Sequence, residues 1–491
     1  MKKVASMTLI VALVAVTYTG SAWYLGKNVE ATINDQYSSL EASQPYLKIV
    51  ARDYQRGIFE SEETVTLSLF GEMPAAMSNQ VSPADEEHDE VPALTFHSRI
   101  QHGPFPGFST FAAAISETEL VLDNEAKAEV AEVLGDKAPY SQHTVIKFDG
   151  SGTATFSSPK FDTPIPDQQG HIAWEGIEGS MDFSPGMKSF TMRMLAPKLE
   201  VSEDKGSQMN FTDLVFEADQ QQIFEDLPYM FSGTSRFSIG SISVAGIDDQ
   251  MEPVTLKQLV YDVDLPLQGD HLDIITKMGM ENLLIGEESF GPVHFDMSFR
   301  HLHARTLAEI NQKFMSIYSD PSLLEGDAEE LKAYFRDDLM AQAETLLTND
   351  PEVSFDRVSF ANPDGEARLA ARAKLSGATL EMLANPLMLL SKLEATGDLS
   401  LSEKMIVELL RNPPFPSGTR DADLTPEEIS ARGQASADQF QQQVAMLSEQ
   451  GYLQREGQLI KTNMAFKEGQ LTVNGKPFNP GAMGGQPPMQ Q

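Results

Sequence analysis

The run from Val4 to Gly26 has no charged residue over 23 positions, and it constrains this chain more than any other feature. As a helix rising about 1.5 Å per residue, it would extend roughly 34 Å, enough to cross a hydrocarbon core of about 30 Å. Trp23 and Tyr24 fall near its C-terminal end, where aromatic rings favour the headgroup region. We therefore predict a single transmembrane anchor over Val4–Gly26.

The charges that flank this run predict its orientation. Lys2 and Lys3 precede it, whereas Lys27 is followed closely by acidic residues, so the positive-inside rule keeps the N-terminus cytoplasmic and exports the rest. A cleaved signal peptide is the alternative, because Gly20-Ser21-Ala22 has the small-x-small pattern of a cleavage site. The apolar run continues beyond that site, which favours an uncleaved anchor.

The helix is expected to continue past the membrane as a stalk. Val29, Ile33, Tyr37 and Leu40 recur at steps of four, four and three residues, which is typical of one face of an amphipathic helix.

The composition excludes some classes of protein for this chain. The formal net charge of −36 repels nucleic acid and anionic lipid headgroups, so we expect no nucleic-acid partner. The chain has no cysteine, so an oxidising compartment gives its fold no disulfides. Apolar residues make up 41% of the chain, enough for one large or two ordinary cores.

Short segments with period-two alternation dominate after the stalk. Val65, Leu67 and Leu69 alternate with Thr64, Thr66 and Ser68, which indicates a strand buried on one face. Similar segments follow, and short stretches containing Gly, Pro, Asn and Asp separate them. The expected fold class is therefore α+β, mainly β: a transmembrane helix, then a large antiparallel, curved sheet with C-terminal helices packed on it.

The period becomes helical from about residue 303. Leu307, Ile310 and Phe314 lie on one face of a predicted helix, a second helix includes Leu331–Leu346, and a third covers Thr425–Gln450. Hairpins are predicted around Asn362–Gly365 and at Leu459–Val473.

These patterns divide the chain into five predicted regions: a cytoplasmic tip and anchor (1–26), a helical stalk (27–43), a β-rich domain (44–302), a mixed helix and strand region (303–479) and a disordered tail (480–491).

A search for catalytic or metal-binding patterns finds no zinc helix, Walker loop, nucleophile elbow or EF-hand loop. On a strand, His301 and His303 could face one side as metal ligands, although solvent-facing or capping roles are favoured. The acidic residues 84–90 have no spaced calcium-ligand pattern and are predicted to form a solvated loop. We expect no catalytic residues, no metal and no cofactor.

Two local sequences stand apart from this patterning. In Tyr54-Gln55-Arg56-Gly57-Ile58-Phe59, the glycine is expected to form a bulge or adopt a positive φ. In His102-Gly103-Pro104-Phe105-Pro106, two prolines stiffen the exit from a strand. Both are candidate contact motifs; the alternative for the second is a stereotyped strand exit in which Phe105 fills the end of the core.

These motifs carry a resemblance to a known family. They are, in order, Trp23-Tyr24-x-Gly26-Lys27 with Glu30, then Tyr54-x-Arg56-Gly57-x-Phe59-x-Ser61, then His102–Pro106. Their order and spacing resemble those of the YdgA family of bacterial proteins of unknown function. The closing segment Gly469–Lys476 is also similar to that family. The resemblance implies an inner-membrane protein with most of the chain in the periplasm, a possible homodimer, and no established catalytic residues.

The expected function is therefore a non-enzymatic cell-envelope role: an anchored β-rich domain that binds a protein partner or handles an apolar ligand such as a lipid. The lipid bilayer is the partner of its N-terminal helix. A periplasmic hydrolase with an unrecognised carboxylate site is the alternative, because 72 acidic residues make paired carboxylates easy to form.

Overall fold

The computed structural model describes residues 2–43, 47–69, 93–164, 170–203, 206–228, 230–246, 252–319, 342–383, 385–412 and 425–478. In the first helix, side chains are described at residues 16–38 and at residue 40. The acidic residues 84–90, the predicted tail and most of the helix predicted over Leu331–Leu346 lie outside these ranges. The chain divides into two compact units, residues 1–239 with 305–340 and residues 240–304 with 341–491.

The described ranges contain seven helices, which we number α1 to α7, and residues 342–348 are also helical. The labelled helices are α1 (Lys2–Ser43), α2 (Asn124–Leu134), α3 (Ala304–Ser319), α4 (Leu380–Leu383), α5 (Pro386–Leu390), α6 (Glu403–Arg411) and α7 (Pro426–Glu449).

The described strands account for most of the regular structure. They are β1 (Leu47–Arg56), β2 (Glu60–Leu69), β3 (Ala93–His102), β4 (Ala114–Val121), β5 (Ser141–Ile146), β6 (Gly152–Ser158), β7 (Phe161–Pro164), β8 (Gly170–Trp174), β9 (Ile177–Phe183), β10 (Ser189–Glu203), β11 (Gln208–Gln222), β12 (Phe231–Ala245), β13 (Val254–Leu265), β14 (Leu267–Gln268), β15 (His271–Met280), β16 (Asn282–Ile285), β17 (Glu288–Phe290), β18 (Val293–His303), β19 (Glu352–Asn362), β20 (Gly365–Leu375), β21 (Leu393–Ser402), β22 (Gln454–Glu456), β23 (Leu459–Lys467), β24 (Gln470–Val473) and β25 (Lys476–Pro477).

The first unit is built on an antiparallel meander. Strands β1 to β6 pair in sequence order, β9 pairs with β6, and β10 lies between β9 and β11. In β2, alternation holds over Ser61, Glu63 and Val65, which are buried while the residues between them are not. The predicted pattern fails further along the strand, because Ser68, expected on the wet face, is buried and Leu67 is only partly buried. The buried face is thus partly polar, which apolar periodicity alone does not indicate.

The second unit repeats the antiparallel pattern. Strands β13, β15, β18, β19, β20, β21 and β23 are neighbours in that order. The hairpins predicted around Asn362–Gly365 and Leu459–Val473 are confirmed as β19–β20 and β23–β24. The α6 helix packs on β20 and β21, and α7 packs on α6, so C-terminal helices cover part of this sheet.

The α7 helix begins as its sequence predicts. The Thr425 hydroxyl accepts a hydrogen bond from the Glu428 amide, and the Glu428 carboxylate accepts one from the Thr425 amide. This reciprocal capping satisfies backbone donors that the first helical turn leaves without partners.

The α1 helix packs on the first unit along one stripe. Ala22, Gly26, Val29 and Ile33 are its buried positions, and its neighbours include β1, β3, β4 and the short turn Pro185–Met187. Spacings of four, three and four residues keep this stripe on one side of the helix. The segment predicted as a stalk is therefore packed on the sheet over Val29 and Ile33.

Among the described residues, no helix has both the length and the apolar character needed to cross a membrane. Val4, at the start of the predicted anchor, lies outside the described side chains.

Candidate functional site

Three segments that are far apart in the sequence meet where α1 lies across the first strands. The α1 helix, the β1–β2 connection and the end of β3 each contribute residues of the motifs described above. We call this group the helix–sheet junction, and it consists of Trp23, Gly26, Glu30, Arg56, Ser61 and His102.

His102 and Ser61 are the most deeply buried polar side chains of the junction, each with 1% of its surface exposed. His102 occupies the centre of the junction. Its Nδ1 lies 3.1 Å from the Ile58 carbonyl oxygen, which can only accept, so Nδ1 carries the hydrogen. Nε2 of the neutral ring then accepts from the Ser61 hydroxyl at 2.9 Å. Both ring nitrogens are satisfied without a charge, so the imidazole can be buried at little free-energy cost.

The electrostatics of the junction keep this imidazole neutral. Burial lowers the pKa of His102, the hydrogen bond to Ile58 partly opposes this, and the positive charge of Arg56 lowers the pKa further. Glu60 acts in the opposite direction as a weaker influence on the same pKa.

Gly26 allows α1 to lie directly against this imidazole. A Cβ atom at position 26 would lie 2.4 Å from both Cε1 and Nδ1 of His102, closer than any real contact. Because two hydrogen bonds hold the ring in place, it cannot move aside freely. The glycine is therefore explained by close approach between helix and ring.

A second contact ties α1 to the end of β1. The Arg56 guanidinium lies 2.7 Å from the Glu30 carboxylate and 5.9 Å from the centre of the Trp23 ring. Both partners of the ion pair are about one third exposed, so the pair orients the two elements more than it stabilises them.

One helical turn further on, the contact is more deeply buried. Arg52 Nε lies 2.6 Å from the nearly inaccessible Glu63 carboxylate, and Arg52 Nη1 donates to the Asn34 side chain at 2.6 Å. The Tyr37 hydroxyl also reaches Glu63 at 3.4 Å. Burial, and secondly the negative charge of Glu63, raise the pKa of Tyr37, so its hydroxyl stays protonated as a donor.

Apolar packing continues beneath these polar contacts. Val29 and Ile33 pack with Ile100 and Ile146, and the half-buried Tyr54 packs against the same cluster. Tyr54, a residue of the candidate motif, thus belongs to the core between α1 and the sheet.

The turn after β3 does not match the alternative in which Phe105 fills the end of the core. That side chain is half exposed, whereas Pro106 is fully buried, so the proline and not the aromatic ring fills the end of the core. The Gly103–Pro104 peptide is cis. A Cβ on Gly103 would lie 2.0 Å from the Ala112 carbonyl oxygen, which excludes any side chain there.

Gly57 has a different role from the one expected. Its φ is outside the positive region, and the register irregularity of β1 lies between Ile49 and Ala51. Its amide donates to the Glu60 carbonyl oxygen at 2.9 Å, and a Cβ there would lie 2.4 Å from that oxygen. The tight turn between β1 and β2 therefore requires glycine because of close approach.

Several aromatic residues around the junction have no counterpart in the sequence-based site. Phe59 and Phe105 were candidates, and the structure adds Tyr18, Phe108 and Phe111 beside them. The sequence signal that could have indicated these aromatic residues is the repetition of phenylalanine at positions 105, 108 and 111 in a short loop that contains Gly and Pro.

The histidine group of the second unit is held by structural hydrogen bonds. The His301 ring stacks on His271 with centroids 3.9 Å apart, and its Nδ1 lies 2.6 Å from the Asn349 carbonyl oxygen. His303 is edge-on to His271 at 6.5 Å. Among the described residues, no group of three or more His, Asp or Glu side chains is arranged to hold a metal ion.

A cavity of about 240 Å³ beside these histidines contains three carboxylates. Asp273 accepts from the His301 amide, Asp350 from the Gly377 amide, and Glu352 pairs with Arg300 and Arg372. Each carboxylate already has a partner within the chain.

The chemistry available at the junction is limited by access. A serine hydroxyl beside an imidazole is the arrangement of a nucleophile and its base, but both Ser61 and His102 are about 1% exposed. A substrate cannot reach either side chain while α1 is in place. The pair therefore acts as a structural contact between helix and sheet.

Comparison with known proteins confirms the family resemblance of the sequence. A family model described as a bacterial protein of unknown function, DUF945, matches residues 1–481. The chain belongs to the DUF945 family. It is 18% identical to Protein YdgA of Escherichia coli over 385 residues, covering 75% of this chain and 74% of that protein.

A second relative extends the comparison. An uncharacterized protein of Haemophilus influenzae is 21% identical over 326 residues, covering 62% of this chain and 83% of its own length. No solved structure matches this chain.

Replacement of Gly26 tests the helix–sheet contact. Gly26→Ala should loosen α1 and lower the free energy of unfolding by roughly 1–3 kcal/mol, because the added methyl group overlaps the His102 ring. Amide hydrogen exchange over residues 22–37 measures this. Gly20→Ala is the matched control, since a Cβ there meets nothing within 4 Å. Equal protection in the two variants would contradict the assignment.

His102 should make stability depend on pH. Its pKa in the folded chain lies below the ordinary value of 6.5, so its contribution is complete above about pH 6.5 and is lost as pH falls through the lowered pKa. His102→Gln should flatten the fall of melting temperature between about pH 7 and pH 5. Parallel curves for wild type and His102→Gln would rule out this linkage.

Proposed function

We propose that this protein is a non-enzymatic, single-pass inner-membrane protein of the bacterial envelope. Its N-terminal helix crosses the bilayer, and its β-rich part lies in the periplasm and binds an envelope protein, a second copy of the chain or an apolar ligand. The observation that carries this proposal is the convergence of the three motif segments on the helix–sheet junction.

The junction supports this proposal because its polar side chains make their hydrogen bonds and ion pairs with other residues of the chain. His102 is enclosed by Ser61, Ile58 and Gly26, and Arg56 is paired with Glu30. Such contacts fix the direction in which the β-rich part extends from its helix. A fixed orientation is what a membrane-tethered binding domain needs in order to present one surface.

The hydrolase alternative has weaker support in the electrostatics. A carboxylic acid that donates a proton near neutral pH needs a raised pKa. Among the described residues, the carboxyl groups with a clear pKa shift are all lowered by hydrogen bonds or nearby cations, which outweigh any desolvation: Asp149, Glu225, Asp226, Asp356 and Glu428.

A charge in the apolar run tests the anchor. Val14→Lys should release a substantial fraction of the full chain from membranes at alkaline pH, because a lysine at the centre of a span costs about 2.5–3.5 kcal/mol. Ala31→Lys adds the same charge at an exposed position of α1 and should leave membrane retention unchanged.

The intact mass of the membrane-bound protein then decides between an anchor and a signal peptide. Retention of residues 1–22 supports the anchor. A mature chain that begins after Ala22 would contradict it.

A row of exposed apolar side chains favours an apolar ligand among the binding partners proposed above. Tyr261, Met278 and Phe295 are directly paired across β13, β15 and β18, and each is more than one third exposed. Phe355 meets Phe295 edge to face at 5.8 Å and extends the row to β19. An apolar chain lying across these strands would cover this surface.

Native mass spectrometry tests the ligand form. Full chain purified from bacterial membranes should carry an added lipid mass, and Met278→Gln should reduce its occupancy because the bound lipid would desolvate an amide in place of the thioether. Lys277→Gln is the matched control in the same strand, with its side chain on the opposite face. Wild-type protein without added mass would rule out the ligand form and leave protein binding.

A further inference from the structure

Five exposed phenylalanines form one surface beside α1. We call them the aromatic patch: Phe59, Phe105, Phe108, Phe111 and Phe148, which are between 46% and 85% exposed. Phe108 has the largest exposed fraction. Exposed aromatic rings in contact with one another mark an interaction surface more strongly than single apolar residues do.

The patch is held together by its own contacts and by one residue of α1. Phe111 packs against Phe105 at 5.1 Å and against Phe148 at 4.8 Å between ring centroids. Tyr18 of α1 stacks on Phe59 at 6.0 Å and on Phe108 at 5.7 Å. The Tyr18 hydroxyl also donates to the Phe105 carbonyl oxygen at 2.9 Å.

The topology explains why these rings meet. They lie in the β1–β2, β3–β4 and β5–β6 connections, and neighbouring strands of this meander are antiparallel. Alternate connections of an antiparallel meander fall at the same end of the sheet. The patch is therefore one end of the sheet and not a scattered set of rings.

The direction of α1 relates this end to the proposed anchor. Asn34 contacts Arg52, Glu30 contacts Arg56, and Tyr18 contacts Phe105, so the N-terminal direction of α1 runs towards the patch. Beyond Tyr18, the helix continues into the apolar run. The patch thus lies beside α1 at Tyr18, where that run leaves the sheet.

Burial on α1 limits how far a bilayer can reach. Ala22 and Gly26 are enclosed by protein, so lipid cannot surround the helix at their level. Residues 4–21 would still extend about 27 Å, close to the thickness of a hydrocarbon core. Tyr18 lies about 5 Å before the end of this segment, so Tyr18 and the patch fall at the outer boundary between the hydrocarbon core and the headgroups.

We propose that the aromatic patch inserts into the outer headgroup region of the same bilayer that α1 spans, so that this end of the sheet rests on the membrane. This inference rests on the proposed anchor. Aromatic rings prefer this layer because it accepts their apolar faces beside water and polar headgroups. The net charge of −36 opposes anionic lipids, so zwitterionic headgroups are the expected surface.

A single fluorescent label measures this insertion, because the chain has no cysteine of its own. Phe108→Cys in the full chain is labelled with an environment-sensitive dye and reconstituted into phosphatidylcholine vesicles with or without nitroxide-labelled lipid. Phe108 is the most exposed ring of the patch, so the substitution leaves core packing intact. The label should shift to the blue and lose most of its fluorescence to the nitroxide.

Two further labels separate this inference from the anchor. Val50→Cys lies on β1 six residues before Arg56, about 20 Å from the patch end along the strand, and should not be quenched. Ala12→Cys lies in the apolar run and should be quenched deeply. Quenching at position 12 without quenching at 108 overturns membrane insertion of the patch and leaves the anchor in place.

The remaining outcomes are also decisive. Absence of quenching at both positions 12 and 108 contradicts the anchor itself. A blue shift at 108 without nitroxide quenching indicates that protein covers the patch, which overturns the lipid assignment. Quenching at 108 and not at 12 contradicts the span, and with it the insertion of the patch into a bilayer that α1 crosses.

Discussion

The contact between the neutral imidazole of His102 and the bare backbone of Gly26 determines how α1 meets the sheet. Two hydrogen bonds satisfy the ring, so it can be buried without charge, and the missing side chain at position 26 allows the helix to approach it. The chain has no cysteine, so only packing and polar contacts join helix and sheet. Val29 and Ile33 extend this contact into the apolar core.

The surrounding polar contacts set the direction of the helix. The Glu30–Arg56 pair and the Asn34–Arg52 hydrogen bond lie on successive turns of α1 and successive parts of β1, and Arg52 also pairs with Glu63 of β2. Burial of Glu63 requires its cation, because an unpaired buried carboxylate would be strongly destabilising. As a result, the N-terminal part of α1 leaves the sheet beside the connections that carry the exposed phenylalanines. Helix, sheet end and aromatic surface therefore depend on one set of contacts.

Sequence patterns predicted the elements that depend on neighbouring residues. Thr425 and Glu428 form a capping box, and the Asn362–Gly365 turn joins two strands, because both signals act over three or four residues. The helix Asn124–Leu134 had no expected counterpart, although Asp123 caps it. Its large apolar residues, Val130, Val133 and Leu134, all lie in its second half, so periodicity gave little indication of a helix. The burial of Pro106 in place of Phe105 likewise depends on packing that local sequence does not describe.

The sequence by itself determined the uncharged N-terminal run, the alternation of mainly antiparallel strands, the absence of disulfides and the order of the family motifs. These properties follow from composition and from spacing within a few residues. Only the tertiary structure decided that Gly26, Ser61 and His102 meet, and that five phenylalanines share one end of the sheet. The physical reason is that such contacts join residues tens of positions apart, through a strand register and a helix packing that the whole fold must establish first.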